Sequence, residues 1–306
     1  MQNNRLATPV QDFAKYCPII TAFIICSLAI VAYAVNFLFY RFPGNNYFPP
    51  STSLIAIVLL LAMIGGSLQF GKHGRFVRTV REIFYFFLVL VVIAFATNAV
   101  QYTPFQPIDK QLIAIEASLG INMQAIVAWT ANHPRLQLLL AYIYDSLHLQ
   151  MSILPLAVII AGKFSYIREH YCLLLVTVLI GFTLYYYLPT MGPASFIPSP
   201  YFMAEQHATG IKFTEIHRYI QPSTIEGGMI AMPSFHAIWA WLCLYLVRCW
   251  PIVFILLLPI NVLLLASCIL LGWHYPIDLL GSFLILLPAH GLYFYYKKKT
   301  QKFCSQ

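Results

Sequence analysis

Eight stretches of this chain are apolar for long enough to cross a hydrocarbon layer, and that fact decides most of what the polypeptide can become. A membrane-crossing helix needs about 17–25 apolar residues. No backbone polar group can stay unpaired in lipid, so such runs fold as helices packed side by side. The runs cover 18–39, 54–70, 83–101, 136–161, 171–188, 233–247, 252–271 and 277–296. They predict an all-α, polytopic membrane helical bundle of about eight transmembrane helices with a six-helix core. Composition agrees, since 60% of residues are hydrophobic and only 9% are charged, far from the balance of a soluble domain. Tyr185-Tyr186-Tyr187 and Tyr293-Phe294-Tyr295-Tyr296 fall at span ends, where amphipathic rings anchor. The first run begins too far in, and is followed by too many others, to read as a cleaved signal. With no internal repeat, the organisation expected is a two-span N-terminal extension (1–82) with a basic loop, then one membrane domain (83–300).

The formal net charge of +8 does not mark a nucleic-acid surface, because the 18 Lys and Arg residues do not gather into one soluble patch. They sort by connection instead. Arg5, Lys15, Lys72, Arg75, Arg78, Arg81, Lys163, Arg168, Arg248 and the tail lysines 297, 298, 299 and 302 fall on one side. Arg41, Lys110, Arg135, Lys212 and Arg218 fall on the other. The positive-inside rule then predicts both termini in the cytoplasm. The cysteines at 17, 26, 172, 243, 249, 268 and 304 avoid the outward loops, so no extracytoplasmic disulfide framework is expected. No Cys-x-x-Cys pair suggests a zinc or redox site.

Two outward segments are long. In 102–135, apolar residues at Ile108, Leu112, Ile115, Leu119, Met123, Ile126 and Val127 predict an amphipathic helix or helix pair at the interface. It serves to cover a site, to guide lipid, or as a plain connector packed on the bundle. Segment 189–231 opens with PTMGPASFIPSP, too rich in proline for regular helix. Loop 71–82 is strongly basic and suits anionic headgroups.

Ionisable groups within spans are costly and raise a functional question each. Asp145, Asp278, His148, His236 and His290 are such groups, and His274 lies in the turn before the last span. If the sixth span descends and the seventh returns, the start of the sixth shares a membrane face with the turn between seven and eight. That brings MPSFH (232–236) beside GWHYPID (272–278), on the extracytoplasmic side by the charge count. Asp278 follows His274 by four residues, so its carboxylate can hold one imidazole nitrogen and leave the other free. Ser234 and nearby helix-start N–H groups offer donors for an anion. Two histidines and an aspartate arranged so suit phosphoryl transfer, one imidazole attacking phosphorus and the other protonating the leaving oxygen. Helix-end histidines bonded to backbone, or a metal site, are the competing readings.

At these residues the sequence resembles the type 2 phosphatidic acid phosphatase (lipid phosphate phosphatase) superfamily. PSFH at 233–236 matches that family's Pro-Ser-x-His motif. SCILLGWHYPID at 267–278 matches Ser-Arg-x5-His-x3-Asp at Ser267, His274 and Asp278. The resemblance implies His274 as nucleophile, Asp278 as its orienting partner, His236 as general acid, and no required metal or other cofactor. Cys268 replaces the motif's Arg, and Lys-x6-Arg-Pro is absent. PTMGPA (189–194), with Gly192, stands where that basic motif would be, and YDSLHLQ (144–150) lies in the fourth span. Both resemble the inositol phosphorylceramide synthase-like branch and its bacterial members, which implies a bacterial inner membrane. Lys212, Arg218 and Arg135 are the candidates to replace the missing cations, and Asp145 with His148 reads either as a buried, mutually bonded pair or as a headgroup contact. The function expected is hydrolysis of a membrane lipid phosphate or diphosphate, with headgroup transfer to an alcohol or polyol as the alternative. A proton-coupled transporter and an inactive lipid-binding relative are the readings from other classes.

Overall fold

The computed structural model describes residues 9–303, and among them the chain is helical with no strand. Seven helices are long and apolar enough to span a membrane. They are α1 (Pro9–Val35), α2 (Thr52–Phe70), α3 (Arg75–Val100), α6 (Pro134–Ile160), α7 (Phe164–Tyr187), α10 (Pro251–Leu270) and α11 (Pro276–Phe303). Helix α7 forms the axis, with Leu173, Leu174, Leu175 and Val178 buried, and α1, α3, α6, α11 and the short α9 (Phe235–Leu246) pack around it. By contrast α2 packs on α3 and turns Leu54, Leu61 and Leu68 outward. Apolar surface of that extent is tolerable in lipid and not in water.

The sixth expected run is a helix, but a short one. Helix α9 (Phe235–Leu246) has only 12 residues, continued by one 3-10 turn at Val247–Cys249. At ~1.5 Å per residue its α-helical part is about 18 Å long, well short of the ~30 Å hydrocarbon core. Its limits are local. Pro233 gives no N–H and Ser234 caps the first turn, accepting from the Ala237 N–H at 3.3 Å; Pro251 opens the next helix. The start of α9 is recessed, because Pro233 packs on Gly181, well before the end of α7 at Tyr187, and His236 meets Tyr144 well inside α6 (Pro134–Ile160).

The loops at that end form a cover. Helices α4 (Asp109–Ser118) and α5 (Met123–Ala131) are bent by 85° to one another. They shelter Leu112, Met123 and Val127 against Ala194, Phe202 and Tyr275. The pair packs on the bundle at that end, and none of its residues lines the cavity described below. Helix α8 (Ala204–His217) completes the cover. The connection between α1 and α2 also belongs here, because Asn45 exchanges bonds with Gln101 (2.8 and 2.9 Å) and gives its amide to the Thr224 carbonyl at 2.8 Å.

The opposite end holds two ion pairs, Arg168 with Glu82 and Arg248 with Glu169 at 2.7 Å. Cys17 and Cys172 are disulfide-bonded, joining α1 to α7. Neither pattern nor spacing in the sequence pointed to that pairing, 155 residues apart.

Candidate active site

The short α9 and the turn from α10 to α11 meet as the antiparallel arrangement requires. Backbone joins them: the Ser234 N–H donates to the Asp278 carbonyl at 3.3 Å, and Ser282 Oγ donates to the Ser234 and Asp278 carbonyls, both at 2.9 Å. Gly272, at φ +82°, makes the turn, and the His274 N–H closes it on the Cys268 carbonyl at 2.9 Å. His236 and His274 then face one another with ring centroids 5.9 Å apart.

Each imidazole is held by its Nδ1. His274 Nδ1 lies 2.9 Å from the Ala231 carbonyl oxygen, an acceptor only, so that nitrogen carries the proton and Nε2 keeps a lone pair. Asp278 Oδ2 is 3.5 Å from the same nitrogen and takes the Tyr275 N–H at 2.9 Å. The carboxylate is thus an electrostatic neighbour beyond normal hydrogen-bond range, and the carbonyl makes the closer contact. Asp278 is fully buried, with Oδ1 unpartnered among the described residues.

His236 Nδ1 lies 3.2 Å from the Tyr144 hydroxyl. The two rings stack at 4.2 Å, and Tyr144 stacks in turn on Trp273 at 5.1 Å and 6°. This ladder fixes His236 on both its edge and its face. The Tyr144 hydroxyl can donate to this nitrogen or accept from it, so the contact serves both the neutral and the protonated ring. His148 comes edge-on to His236 at 6.3 Å. The recessed α9 is what lets residues this far down α6 reach the histidine.

Between the imidazoles lies a cavity of about 40 Å³, lined also by Met191, Gly192, Gln206 and Gly228. A buried water needs about 10–15 Å³ on this scale, so the space fits roughly three waters or one phosphoryl group. Its roof is tied down by Asp109. This buried carboxylate accepts the Met191 and Gly192 N–H groups at 2.9 Å each and the Tyr275 hydroxyl at 3.2 Å. Glu116 accepts the Ile277 N–H at 3.0 Å, and Thr190 Oγ1 accepts the Met232 N–H at 2.7 Å. Gly192 adopts φ +82°, and a Cβ there would lie 3.4 Å from the Trp273 carbonyl.

A protein-family model described as the PAP2 superfamily matches residues 110–292, more than half of the 306-residue chain. The chain belongs to the PAP2 superfamily. No curated protein and no solved structure matches it. The matched region of this PAP2-superfamily chain begins in α4, ends in α11 and contains every residue lining the cavity, while α1, α2 and α3 lie outside it. Members are typically phosphatases or phosphotransferases, so the chain is read as a membrane enzyme of phosphatase type.

The structure brings His236, His274, Asp278, Gly192 and His148 to one place. Others expected there are elsewhere. Ser234 and Ser267 are fully buried, Ser234 as the α9 cap and Ser267 donating to the Leu264 carbonyl at 2.7 Å. Neither reaches the cavity, because capping and packing have taken their hydroxyls. Lys212 is buried and donates to the Ile225, Glu226 and Gly227 carbonyls at 3.4, 2.5 and 3.2 Å, so its charge clamps a loop and faces away from the cavity. Burial lowers its pKa from the model-compound value of 10.5 to about 8. Arg218, just past the end of α8, and Arg135, in the first turn of α6, are exposed. Asp145 and His148 are not a buried bonded pair: both are exposed, and His148 Nδ1 lies 3.3 Å from the Asp145 backbone carbonyl. His290 accepts from Trp241 Nε1 at 2.9 Å in a role away from the cavity.

Among the described residues that line the cavity there is no Lys or Arg. Cys268, where the family motif has Arg, is fully buried beside Tyr144 and Leu264. No cluster of three or more His, Cys, Asp or Glu side chains suited to a metal occurs among the described residues.

The sequence missed Tyr144, Trp273 and Asp109. For Tyr144 a signal existed: residues four apart share a helix face, which pairs Tyr144 with His148 and leaves Asp145 pointing elsewhere. Nothing local marks Asp109, whose partners are more than 80 residues away.

Proposed function

We propose that this protein cleaves phosphate from a membrane lipid phosphate monoester or diphosphate through a phosphohistidine at His274. The observation that carries the reading is the pair of imidazoles across a phosphoryl-sized cavity, each tied back at its Nδ1. His274, with its proton held on Nδ1 by Ala231, offers the Nε2 lone pair to phosphorus. The P–O bond to the lipid breaks, and the leaving oxygen takes the Nε2 proton of the His236 imidazolium, which is left neutral with its remaining proton on Nδ1, toward the Tyr144 hydroxyl. His236 then removes a proton from water, whose oxygen attacks phosphorus and frees His274. Asp278 favours the His274 ring as positive charge develops on it.

With no cation lining the cavity, the phosphate's charge falls on protonated His236, on His148 beside it and on backbone N–H groups. A transition state lacking one preorganised donor is typically slower by about 10²–10³. This enzyme is therefore expected to turn over slowly. Headgroup transfer to an alcohol or polyol is the second reading, favoured by PTMGPA standing in place of a basic motif. It uses the same intermediate, resolved by an alcohol in place of water. The distribution of basic residues supports an extracytoplasmic site with both termini cytoplasmic. Arg75, Arg78, Arg81, Lys163, Arg168 and Arg248 all belong to the end of the bundle opposite the cavity.

The test is to incubate the purified protein with radiolabelled lipid phosphates and diphosphates, with and without polyol, and follow phosphate release and product lipids. His274→Ala should abolish both. Equal behaviour of wild type and His274→Ala on every lipid would remove the enzyme reading, and loss of activity in EDTA would point to a metal.

A further inference from the structure

A larger cavity lies at the opposite end of the bundle, away from the imidazoles. Helices α1, α3 and α7 leave a groove of about 660 Å³ between them, within the ~300–1,000 Å³ that ligand sites occupy. Its walls are apolar, with Pro18 and Ala22 from α1, Leu88 and Val92 from α3 and Leu175 from α7. Its mouth is not. Arg81 and Arg168 line it, together with Tyr85.

The charges at that mouth are unequally used. Arg168 gives Nε and Nη2 to Glu82 Oε1, while Nη1 has no partner among the described residues. Arg81 is half-buried and makes no ion pair or hydrogen bond among the described residues. Two guanidinium groups against one carboxylate leave a net positive charge where the apolar trough ends. Arg75 and Arg78 stand exposed just before it on the same helix. A long apolar trough that ends in an unneutralised guanidinium matches one class of molecule in both halves: an acyl chain joined to an anionic headgroup. A zwitterionic lipid would bring its own cation to the same place and lose the attraction.

We infer that the groove between α1, α3 and α7 is a binding site for an anionic phospholipid, whose chain lies along Leu88 and Val92 and whose phosphate meets Arg81 and Arg168. The site is separate from the catalytic cavity and does not depend on the reaction proposed there. It also accounts for the basic approach in loop 71–82, which topology alone uses only as a count of charges. In a membrane bearing anionic lipid, each basic residue at the surface favours binding by about fivefold.

The test uses the full-length protein in detergent, observed by native mass spectrometry with palmitoyl-oleoyl phosphatidylglycerol or phosphatidylcholine added. Wild type should retain one phosphatidylglycerol in preference to phosphatidylcholine by about fivefold. Arg81→Gln should abolish the preference and Arg81→Lys should keep most of it. Leu88→Trp, which fills the trough without touching charge, should reduce retention of both lipids. Millimolar inorganic phosphate should not displace the bound lipid. Equal retention of the two lipids by wild type would overturn the proposal. So would an unchanged preference in Arg81→Gln, or displacement by inorganic phosphate, which would mark an ion site. Melting curves of each variant separate loss of the site from loss of the fold; if Arg81→Gln does not fold, the Leu88→Trp and phosphate arms decide.

Discussion

Replacing Tyr144 by Phe removes one oxygen atom, and its consequence follows from two distances. The hydroxyl meets His236 Nδ1 at 3.2 Å, while the ring stacks on His236 at 4.2 Å and on Trp273 at 5.1 Å. Phe keeps both stacks and loses the hydrogen bond. A neutral bond of this kind is worth about 0.5–1.5 kcal/mol net. At 1.36 kcal/mol per tenfold in rate, that is a loss of about 2- to 13-fold. The loss should appear in kcat, because the hydroxyl accepts the Nδ1 proton that His236 keeps when Nε2 gives up its own. KM and thermal stability should stay near wild type. Tyr144→Ala is different, since it also empties a buried ring site, and such changes cost about 3–5 kcal/mol of stability. The assay is steady-state release of phosphate from a lipid phosphate in mixed micelles across pH 5–8, with melting curves of each variant. Wild-type kcat for Tyr144→Phe throughout that range would refute the role given to the Tyr144 hydroxyl. A raised KM at unchanged kcat would show that Tyr144 serves the substrate and not His236.

Other expectations rest on the roof and its supports. Asp109→Asn can accept from only one of the Met191 and Gly192 N–H groups and presents an amide donor to the other. An unpaired buried donor costs about 1–3 kcal/mol, so thermal melts should show that loss together with reduced kcat. Gly192→Ala forces an L residue to φ +82°, which costs about 1–2 kcal/mol, and sets a methyl against the Trp273 carbonyl. Activity should fall more than stability, measured on the same preparation. Lys212→Met should loosen loop 225–227, read as faster proteolysis there, and should alter the pH dependence of stability. The Lys212 ammonium titrates at about 8 folded against 10.5 in the free side chain, so between those values the unfolded state holds the extra proton. Stability from this group therefore rises with pH from about 8 to 10.5, and the variant should lose that rise.

Much of the architecture was legible because it is written locally. Apolar runs mark spans without reference to partners, and PSFH and GWHYPID carry their histidines at fixed spacing within one helix start or one turn. The antiparallel path of neighbouring spans then placed the two motifs together. What failed needed contacts between distant residues. Nothing near Lys212 says that three carbonyls of residues 225–227 will claim its ammonium, and nothing near Ser267 says that packing will seal its hydroxyl. The run at 233–247 was already the shortest of the eight, and the structure keeps it short, as 12 α-helical residues followed by a 3-10 turn. That shortness matters for the site: the recessed start of α9 explains how Tyr144 and His148, deep on α6, come to touch His236.

The account stands on His274 Nε2 as the attacking atom. The most direct measurement is to mix the protein with a 32P-labelled lipid phosphate, quench within one turnover in alkali, and map the label by peptide mass spectrometry. A phosphoramidate bond to imidazole survives alkali and is lost in acid. The result expected is acid-labile, alkali-stable label on the peptide containing His274, absent from His274→Ala. Label on another residue, or label and turnover that persist in His274→Ala, would contradict it.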